Sequence, residues 1–401
     1  MISSKIIISG TGCALADYLY NEISFESPRF RKYLSMKPGD GGVSPGKLVF
    51  TEELENFADN SYPEIIKKII GNRSPNAFNV GGPSLVSLIH VSQMLGNNNF
   101  EVKFFGIAGG DETANKIFEI VRRTPLDIKN YTTTNHNISP FTDVFSDPNF
   151  NSGQGERTFI NNIGAAWDYS PEHLTQEFFD SNIVCFGGTA LVPQLHDHLT
   201  ALLQKAKNNN CITVVNTVFD FRNERLNPEK PWPLVRNKES YVFIDVLIMD
   251  SEEAQRISGK KTIDDAAEFF TSSNVSSFII TNGANELTAW SSGRLFKKTK
   301  ILKMPISQKV TEELKLNALL KGDTTGCGDN FAGGIIVSLA WQLKDKEEGD
   351  IDWVEAISWG IASGGFCCFQ IGGTYVELLP GEKRNAIQQI QREYLNQIKS
   401  K

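Results

Sequence analysis

The sequence is poor in the residues from which metal centres and disulfide frameworks are built. Its 401 residues include only five histidines and six cysteines. No two cysteines have the CxxC spacing that is typical of zinc sites and redox motifs. We therefore expect neither a structural zinc site nor a disulfide framework, and we expect most of the cysteines to behave as small apolar residues.

Long apolar runs and blocks of basic residues are missing as well. No hydrophobic stretch approaches the length of a membrane span, and the apolar residues at the start of the chain are too few for a signal peptide. The net charge is −7, and no cluster of Lys or Arg offsets it, which argues against a nucleic-acid partner. These absences favour a cytoplasmic protein that binds neither nucleic acid nor a membrane.

The chain instead contains short β-branched segments that alternate with amphipathic segments of helical length. Strands are predicted at 5–9, 102–106, 182–186, 211–216, 246–249 and 277–281. Helices are predicted at 85–95, 114–121, 199–207, 251–258 and 262–272. This alternation is typical of α/β proteins, in which helices cover both faces of a mostly parallel sheet.

Three stretches interrupt the alternation. Residues 18–78 are poorly periodic, whereas residues 131–165 contain predicted β segments at 132–134, 141–145 and 158–160 that are separated by turns. We interpret both stretches as contributions to a small β lid over the sheet, with an insertion in the first. Residues 223–241 are rich in proline and are predicted to form a loop. No repeats are visible, and we interpret residues 1–401 as a single domain.

The most informative segment is the glycine-rich stretch 322–334, which leads into the apolar residues 335–340. Phe331, Ile335 and Leu339 follow one another at intervals of four, which predicts a helix that begins near the glycines. The first backbone N–H groups of a helix lack partners inside the helix and lie at the positive end of its dipole. The turn at 326–328 is therefore a predicted anion site.

The carboxylate of Asp329 stands beside this predicted anion site. Such a pairing is useful when the carboxylate removes a proton from a hydroxyl group that attacks a phosphoryl group. The combination therefore suggests phosphoryl transfer to a hydroxyl group. The simpler alternative is that Asp329 only caps the helix by accepting hydrogen bonds from its first N–H groups.

Two other glycine-containing turns lie where an α/β sheet places its ligands. The first predicted strand runs into Gly10 and Gly12, and Asp17 follows at the strand's carboxyl end. Gly81 and Gly82 precede a predicted helix and would let a ligand approach the backbone closely. Taken alone, each segment is also explained as an ordinary turn.

Residues 322–334 resemble the second signature of the PfkB carbohydrate kinase family, the ribokinase-like sugar and nucleoside kinases. The core of that signature is Asp-Thr-x-Gly-Ala-Gly-Asp, and Cys327 occupies the place of its alanine. The resemblance implies a ribokinase-like fold, which is a three-layer α/β/α sandwich with a central mostly parallel sheet and a small β lid. It also implies that Asp329 is the catalytic base. The anion hole would consist of the backbone of Gly326, Cys327 and Gly328.

The substrate end resembles the same family less closely. The turn that ends in Asp17 is similar to the opening of adenosine-kinase-like members, in which this carboxylate binds two sugar hydroxyls. Gly81 and Gly82 are similar to the glycines of the family's first signature, which contact the sugar. Cys13 and Val86 stand where these two motifs have asparagine, so the resemblance leaves the identity of the substrate open.

The nucleotide and magnesium residues follow from the resemblance alone. Asp250 and Glu253 match the positions that help to organise Mg²⁺ and phosphate, with Asp250 in place of the family's asparagine. Thr281 and Gly283 match the family's nucleotide segment. Asn216 corresponds to an asparagine near the phosphates of ATP.

Two further assignments rest on the same comparison. Asp323 and Thr325 correspond to the site of a monovalent cation such as K⁺. The segment 155–158 is similar to the family's lid turn, and we interpret its Arg157 as lid structure rather than as a catalyst.

The resemblance therefore implies ATP-dependent phosphorylation of a hydroxyl group on a small sugar or sugar-like substrate, with Mg²⁺ as the metal. A nucleoside kinase is an alternative that the opening motif favours and that Cys13 and Val86 oppose. A catalytically silent sugar-binding protein on the same fold is another alternative, which the intact turn at Asp329 opposes. The expected partner is a small sugar or nucleoside, and a homodimer is the assembly that we consider.

Overall fold

The structure is a computed structural model that describes residues 5–37, 39–96, 98–153, 155–317, 322, 324–345 and 351–399. The strands of these residues are β1 Ile6–Gly12, β2 Leu15–Tyr20, β3 Leu48–Phe50, β4 Ala77–Gly81, β5 Phe100–Gly109, β6 Asp127–Thr134, β7 Phe141–Asp147, β8 Glu156–Asn162, β9 Ile183–Gly187, β10 Ile212–Asn216, β11 Val246–Asp250, β12 Ser277–Thr281, β13 Leu287–Ser291 and β14 Leu302–Met304. The helices are α1 Pro28–Arg31, α2 Thr51–Ala58, α3 Tyr62–Ile70, α4 Pro83–Leu95, α5 Glu112–Val121, α6 Phe150–Gly153, α7 Gln176–Phe179, α8 Pro193–Asp197, α9 Leu199–Asn208, α10 Phe221–Leu226, α11 Ser251–Ser258, α12 Ile263–Thr271, α13 Gln308–Leu316, α14 Cys327–Asp345, α15 Trp353–Cys367 and α16 Glu382–Lys399.

The larger of two sheets has the strand order β14-β13-β12-β11-β10-β9-β1-β5-β6. All neighbouring pairs from β12 to β6 are parallel, and β13 and β14 are antiparallel additions at one edge. Parallel neighbours need crossover connections, which the helices between these strands provide. The sheet is therefore mostly parallel, as the alternation of strands and helices predicts.

Apolar side chains alternate along the central strands and supply a core on each face of this sheet. In β9, Ile183 and Cys185 belong to the core cluster that contains residues of α4, α14 and α15. Val184 and Phe186 belong to the opposite cluster, which contains residues of α9, α11 and α12. Helices on both faces of one sheet form the predicted α/β/α sandwich.

The second sheet has the strand order β3-β8-β7-β2-β4. One of its faces packs on α1, α2 and α3 through a core that includes Phe25, Phe30 and Phe145. Its strands come from residues 15–20, 48–50, 77–81 and 141–162. The assignment of residues 132–134 to this sheet is wrong, because they end β6 and pair with β5 at the edge of the large sheet.

The predicted strands and helices are all present, with ends shifted by a few residues. The loop predicted at 223–241 is partly helical, since it overlaps α10 and a 3₁₀ helix at Lys238–Phe243. Trp232 and Leu234 are buried and hold this segment against the domain. Among the described residues, no helix has the length and apolar character needed to cross a membrane.

Candidate active site

Three of the predicted site residues end parallel strands of the large sheet, namely Asn216, Asp250 and Thr281. The chain passes from β1 to β5 and β6 on one side and returns to β9 on the other, so the strand order reverses between β1 and β9. Open α/β sheets bind ligands in the crevice at such a reversal. The backbones are in close contact there, because a Cβ atom on Gly12 would lie 1.9 Å from the Gly187 carbonyl oxygen.

The turn before α14 has a backbone conformation that favours glycine. Gly326 has a φ angle of +73°, and Thr324 adopts +62°, which is unusual for a β-branched residue. A Cβ atom on Gly326 would lie 2.4 Å from the Cα atom of Gly373, whereas one on Gly328 would meet no atom within 4 Å. Open space therefore faces the start of the helix at Gly328.

The donors of the predicted anion hole differ in their present contacts. The N–H group of Gly328 has no acceptor among the described residues. The N–H group of Cys327 donates to the Thr324 carbonyl oxygen at 3.3 Å, which is a long hydrogen bond. One donor is thus available to an anion, and the other is held weakly by the turn itself.

Asp329 lies within the first turn of α14 and not at the N-cap position. Burial raises the pKa of its carboxyl to about 6, although a hydrogen bond with the Asn216 side chain acts in the opposite direction. Its backbone carbonyl accepts a hydrogen bond of 2.9 Å from Ser87 Oγ of α4. Among the described residues, no backbone N–H group donates a hydrogen bond to this carboxylate, so helix capping alone does not account for Asp329.

Asp17 and the paired glycines of β4 and α4 lie in direct contact. Asp17 is 8% exposed, and a Cβ atom on Gly81 would lie 2.2 Å from Asp17 Oδ2. Gly82 adopts a φ angle of +92° and a Cβ atom there would meet the Cys13 carbonyl oxygen at 2.6 Å. The absence of side chains at both glycines therefore leaves room for the carboxylate and for the neighbouring turn.

Cys13 connects this group with the predicted base. Burial raises the pKa of the Cys13 thiol, and the negative charges of Asp329 and Asp17 raise it further. The thiol therefore lies within electrostatic reach of both carboxylates. The predicted base and the predicted sugar-binding residue therefore lie near the same buried thiol.

A row of polar side chains crosses the small sheet at the level of Asp17. Asp17 pairs with Asn79 of β4 and with Thr142 of β7, and Thr142 pairs with Asn161 of β8. Paired residues on neighbouring strands project from the same face. Asn161 Nδ2 donates to Thr142 Oγ1 at 2.9 Å. Sequence reasoning missed this row, because the pairing of four distant strands has no local signal.

Asp250 and Glu253 form a capping box at the start of α11. The Glu253 N–H donates to Asp250 Oδ1 at 2.8 Å, and Glu253 Oε2 accepts from the Asp250 N–H at 3.0 Å and from Thr217 Oγ1 at 2.6 Å. Burial raises the pKa of the Glu253 carboxyl to about 8, and the charge of Asp250 raises it as well. The buried Glu253 carboxyl therefore lies beside the exposed Asp250 carboxylate, and this closeness of two acidic groups favours a cation next to them.

No group of three His, Cys, Asp or Glu side chains in the described part of the chain is arranged to hold a metal ion. The pair Asp250 and Glu253 therefore lacks a third protein ligand of these types. Such a pair fits Mg²⁺, which keeps several waters and is commonly bound by one or two carboxylates together with substrate phosphates.

The residues predicted to bind ATP lie at the ends of adjacent strands. Thr281 of β12 pairs directly with Asp250 of β11. Gly283 follows with a φ angle of +56° and has open space where a side chain would stand. Asn216 ends β10 and its side chain contacts Asp329. These residues adjoin the carboxylate pair and the predicted base.

Asn330 is a site residue that the motif comparison missed. Its Nδ2 donates to the carbonyl oxygens of Gly326 at 2.9 Å and of Gly373 at 2.8 Å. Its Oδ1 lies 2.9 Å from His90 Nδ1, and burial holds the pKa of His90 well below its usual value. The neutral imidazole and the amide thus fix the turn that precedes Asp329. The only sign of this role in the sequence is a single amide side chain at the start of an apolar helix.

Arg157 reaches the same turn from the small sheet. Its Nη1 donates to Thr325 Oγ1 at 2.7 Å, and its guanidinium also lies over the Phe159 ring. The arginine predicted to be lid structure therefore contacts the loop of the predicted anion hole. Asp323, the other residue predicted to bind a monovalent cation, lies outside the described residues.

Comparison with known proteins gives one family and one fold. The family described as pfkB family carbohydrate kinase matches residues 78–377. An adenosine kinase from Schistosoma mansoni, solved in complex with 2-fluoroadenosine, is 16% identical, with 92% of this chain and 96% of that chain covered and a TM-score of 0.69.

Two other solved structures have similar coverage. An adenosine kinase from Sinorhizobium meliloti is 16% identical over 96% of this chain and 99% of that chain, with a TM-score of 0.67. A ribokinase from Thermotoga maritima is also 16% identical over 96% of this chain and 99% of that chain, with a TM-score of 0.60. At this identity the likeness concerns the fold, and the predicted ribokinase-like α/β fold is confirmed.

Proposed function

Because the chain belongs to the pfkB family of carbohydrate kinases, we propose that it transfers the γ-phosphoryl group of ATP to a hydroxyl group of a small sugar or sugar-like molecule. The observation that carries this proposal is the position of the Asp329 carboxyl in the first turn of α14, where burial raises its pKa to about 6. It lies next to the Gly328 N–H group, which has no acceptor among the described residues. Phosphoryl transfer to a hydroxyl needs a positioned base and donors for the phosphoryl oxygens.

Asp329 acts as the base in this proposal. Its carboxylate accepts the proton of the substrate hydroxyl while that oxygen forms a bond to the γ-phosphorus and the bond to the departing ADP breaks. The hydrogen bond with Asn216 favours the ionised form and orients the carboxylate. Asn216 therefore positions the base in addition to its predicted place near the phosphates.

The start of α14 stabilises the charge on the phosphoryl oxygens. Gly328 supplies an N–H group that has no acceptor in the described part of the chain, and the N–H groups of Gly326 and Cys327 complete the predicted anion hole. Donors that are already oriented need no rearrangement during the reaction, which makes their contribution large. Arg157 adds a positive charge to the same turn through its contact with Thr325.

Asp17 holds the acceptor on the opposite side of the crevice. A carboxylate accepts hydrogen bonds from two adjacent hydroxyl groups through its two oxygens. Gly81 and Gly82 leave room for this carboxylate and for the Cys13 backbone, since neither carries a side chain, and in this proposal their own backbone faces the sugar. We assign this end of the site to the sugar.

Family membership implies the use of ATP with a divalent metal. Asp250 and Glu253 are the residues that would hold Mg²⁺, in part through water, and the closeness of their carboxyl groups, by which the charge of Asp250 raises the pKa of Glu253, fits a cation. When bound, the metal would neutralise negative charge on the phosphates. Thr281 and Gly283 would line the nucleotide next to these carboxylates. A K⁺ site at Asp323 and Thr325 remains part of the proposal.

We also propose that the small sheet acts as a lid on a single kinase domain of residues 1–401. The face that carries Asp17 also carries Arg157, which contacts the turn before α14. Closure over a bound sugar would exclude water, whose attack on the γ-phosphorus would hydrolyse ATP without product.

A nucleoside kinase is the second candidate. The fold similarity favours it, because the two adenosine kinases have higher TM-scores than the ribokinase. Val86 opposes it, because an aliphatic side chain stands where the family's first signature has an asparagine. This side chain packs against the backbone at Gly373, where a Cβ atom would lie 3.3 Å from Val86 Cγ1. Cys13 opposes it as well, because a buried neutral thiol is a poor substitute for an amide.

A coupled assay of ADP release with hexoses, pentoses, sugar acids and nucleosides tests these proposals. We expect at least one panel member to stimulate ADP release, and Asp329→Asn to lower kcat by about 10²–10⁴-fold, the usual contribution of a general base. Asp352→Asn is the matched control, because Asp352 only caps α15 and asparagine is an equally good cap. Calorimetric sugar binding without ADP release from any panel member would instead support a silent binding protein.

A further inference from the structure

Three thiols surround the turn that carries the predicted anion hole. Cys327 is the first residue of α14, and Cys367 and Cys368 end α15. Cys327 Sγ lies 3.5 Å from Cys368 Sγ. The two helices therefore bring one pair of sulfur atoms to van der Waals contact beside the site.

The three cysteines differ in their access to solvent. Cys327 and Cys368 are both partly exposed, whereas Cys367 is 2% exposed. Cys367 Sγ is also engaged, since it donates to the Thr325 carbonyl oxygen at 3.3 Å. The pair formed by Cys327 and Cys368 is the one that a small reagent can reach.

Both members of this pair are bound to the backbone of the turn. The Cys368 carbonyl oxygen accepts a hydrogen bond of 2.8 Å from the Gly322 N–H. Cys327 directly follows Gly326, which packs against Gly373 without room for a side chain. A displacement of either cysteine is therefore transmitted to the residues that would hold the phosphoryl group.

We propose that Cys327 and Cys368 form a reversible disulfide that switches off phosphoryl transfer, an inference that rests on the function proposed above. Both S–H bonds break and one S–S bond forms. The two electrons and two protons pass to a peroxide, and hydrogen peroxide is thereby reduced to two molecules of water. A thiol reductant reverses the step by thiol–disulfide exchange.

The covalent bond requires the sulfur atoms to approach each other. A disulfide has an S–S length of about 2.05 Å, so the pair must close by about 1.5 Å from its distance of 3.5 Å. Part of this movement falls on the Cys327 backbone, because its N–H group is held only by a long hydrogen bond. A misplacement of about 1 Å at a catalytic centre can cost about 10²-fold in rate.

The test treats the full-length protein with hydrogen peroxide and follows two independent readouts. Mass spectrometry of peptides made without reductant identifies the disulfide, whether or not a substrate has been found. The coupled assay measures kcat with a substrate from the panel. We expect a crosslink between Cys327 and Cys368, a loss of kcat of at least about tenfold, and recovery of both after addition of dithiothreitol.

Two variants make the result specific. Cys368→Ser should keep the basal kcat and lose the sensitivity to peroxide. Cys211→Ser is the matched control, because Cys211 is buried and bonded to the Phe179 carbonyl oxygen, and it should remain as sensitive as the wild type.

Each contrary outcome overturns a defined part of the account. No crosslink, or a crosslink that joins Cys327 to Cys367, overturns the proposed pair. A crosslink that leaves kcat unchanged overturns the switch. Reduced protein that phosphorylates no panel member contradicts the proposed kinase function, whereas the peptide map still decides whether the disulfide forms.

Discussion

Asp329 is subject to two opposing influences. Burial favours its neutral form, and the hydrogen bond with Asn216 favours its carboxylate, so that its pKa is raised only to about 6. A carboxyl of ordinary pKa would accept a proton less readily, and one raised far above neutrality would be protonated in most molecules. Values near the operating pH suit a general base.

The first prediction concerns the pH dependence of the reaction. Asp329 must be ionised to accept a proton, so kcat/KM should fall as the pH decreases through about 6 and should level off above it. Rates measured between pH 5 and pH 8 with a phosphorylated panel member would reveal this acidic limb. The residual rate of Asp329→Asn should lack it, and persistence of the limb in that variant would assign the pKa to another group.

A second prediction concerns Asn330, which binds two backbone carbonyls of the turn. Asn330→Ala removes these hydrogen bonds and should destabilise the protein by about 1–3 kcal/mol. Because the turn would also shift, kcat should fall by about 10- to 100-fold with little change in KM. Kinetics and urea unfolding of the same sample measure both effects.

The control for Asn330 is Ser338→Ala, a buried polar residue of the same helix that accepts a hydrogen bond from Gln342. It should lower stability without lowering kcat. If Asn330→Ala loses stability but keeps the wild-type kcat, the amide has only a structural role.

At the scale of elements, β8 and the turn before α14 are joined through Arg157 and Thr325. We predict that Arg157→Gln lowers kcat by about 10- to 100-fold, since the turn would lose its hydrogen bond to β8 and a misplacement of about 1 Å at a catalytic centre can cost about 10²-fold. Arg31→Gln is the matched control, because Arg31 belongs to the same small-sheet unit and forms an exposed ion pair with Glu26. Steady-state kinetics that show equal rates for both variants would remove Arg157 from the proposed site.

The element bounds were most predictable where local signals mark both ends. The helix at 251–258 agrees with α11 because Asp250 caps its start, and Gly259 ends it with a φ angle of +68°. Residues 132–134 were misplaced because β-branched composition indicates a strand without indicating its partner. Their pairing with β5 in the large sheet depends on contacts that no local pattern contains.

At the scale of the whole molecule, the small sheet has a buried titratable group in its own core. Asp143 of β7 accepts a hydrogen bond from the Tyr62 hydroxyl of α3. Burial raises the pKa of its carboxyl to about 7, although hydrogen bonds from Tyr62 and Tyr20 lower it. The folded state thus favours the neutral acid.

The corresponding prediction follows from proton linkage. Between about pH 4 and pH 7 the folded state binds more protons at Asp143 than the unfolded state, so this group's contribution to stability decreases as the pH rises, by at most about 4 kcal/mol. The side chain in Asp143→Asn cannot ionise, so a rise in pH from 5 to 8 should lower the free energy of unfolding of this variant less than that of the wild type. Urea midpoints at both pH values test this, and an equal decrease in both proteins would contradict it.

The motifs of the site were predictable from the sequence, whereas the contacts between residues far apart in the sequence were not. Asp17, Gly81 and Asp329 stand in recognisable local patterns, but Asp17 and Gly81 lie on two paired strands of the small sheet and Asp329 lies at the start of α14. Arg157 and Thr325 are far apart in the chain, and neither residue type indicates the other. Asn161 and Thr142 belong to the row beside Asp17 only because of strand register.

The most direct test of the central claim follows the fate of the γ-phosphoryl group. ATP labelled at its γ-phosphorus is incubated with the substrate that the panel identifies, and the products are separated for the wild type, Asp329→Asn and Asp352→Asn. The account predicts label in a phosphorylated substrate for the wild type and Asp352→Asn, and almost none for Asp329→Asn. Label that appears only as inorganic phosphate, or equal labelling of the substrate by Asp329→Asn, would contradict it.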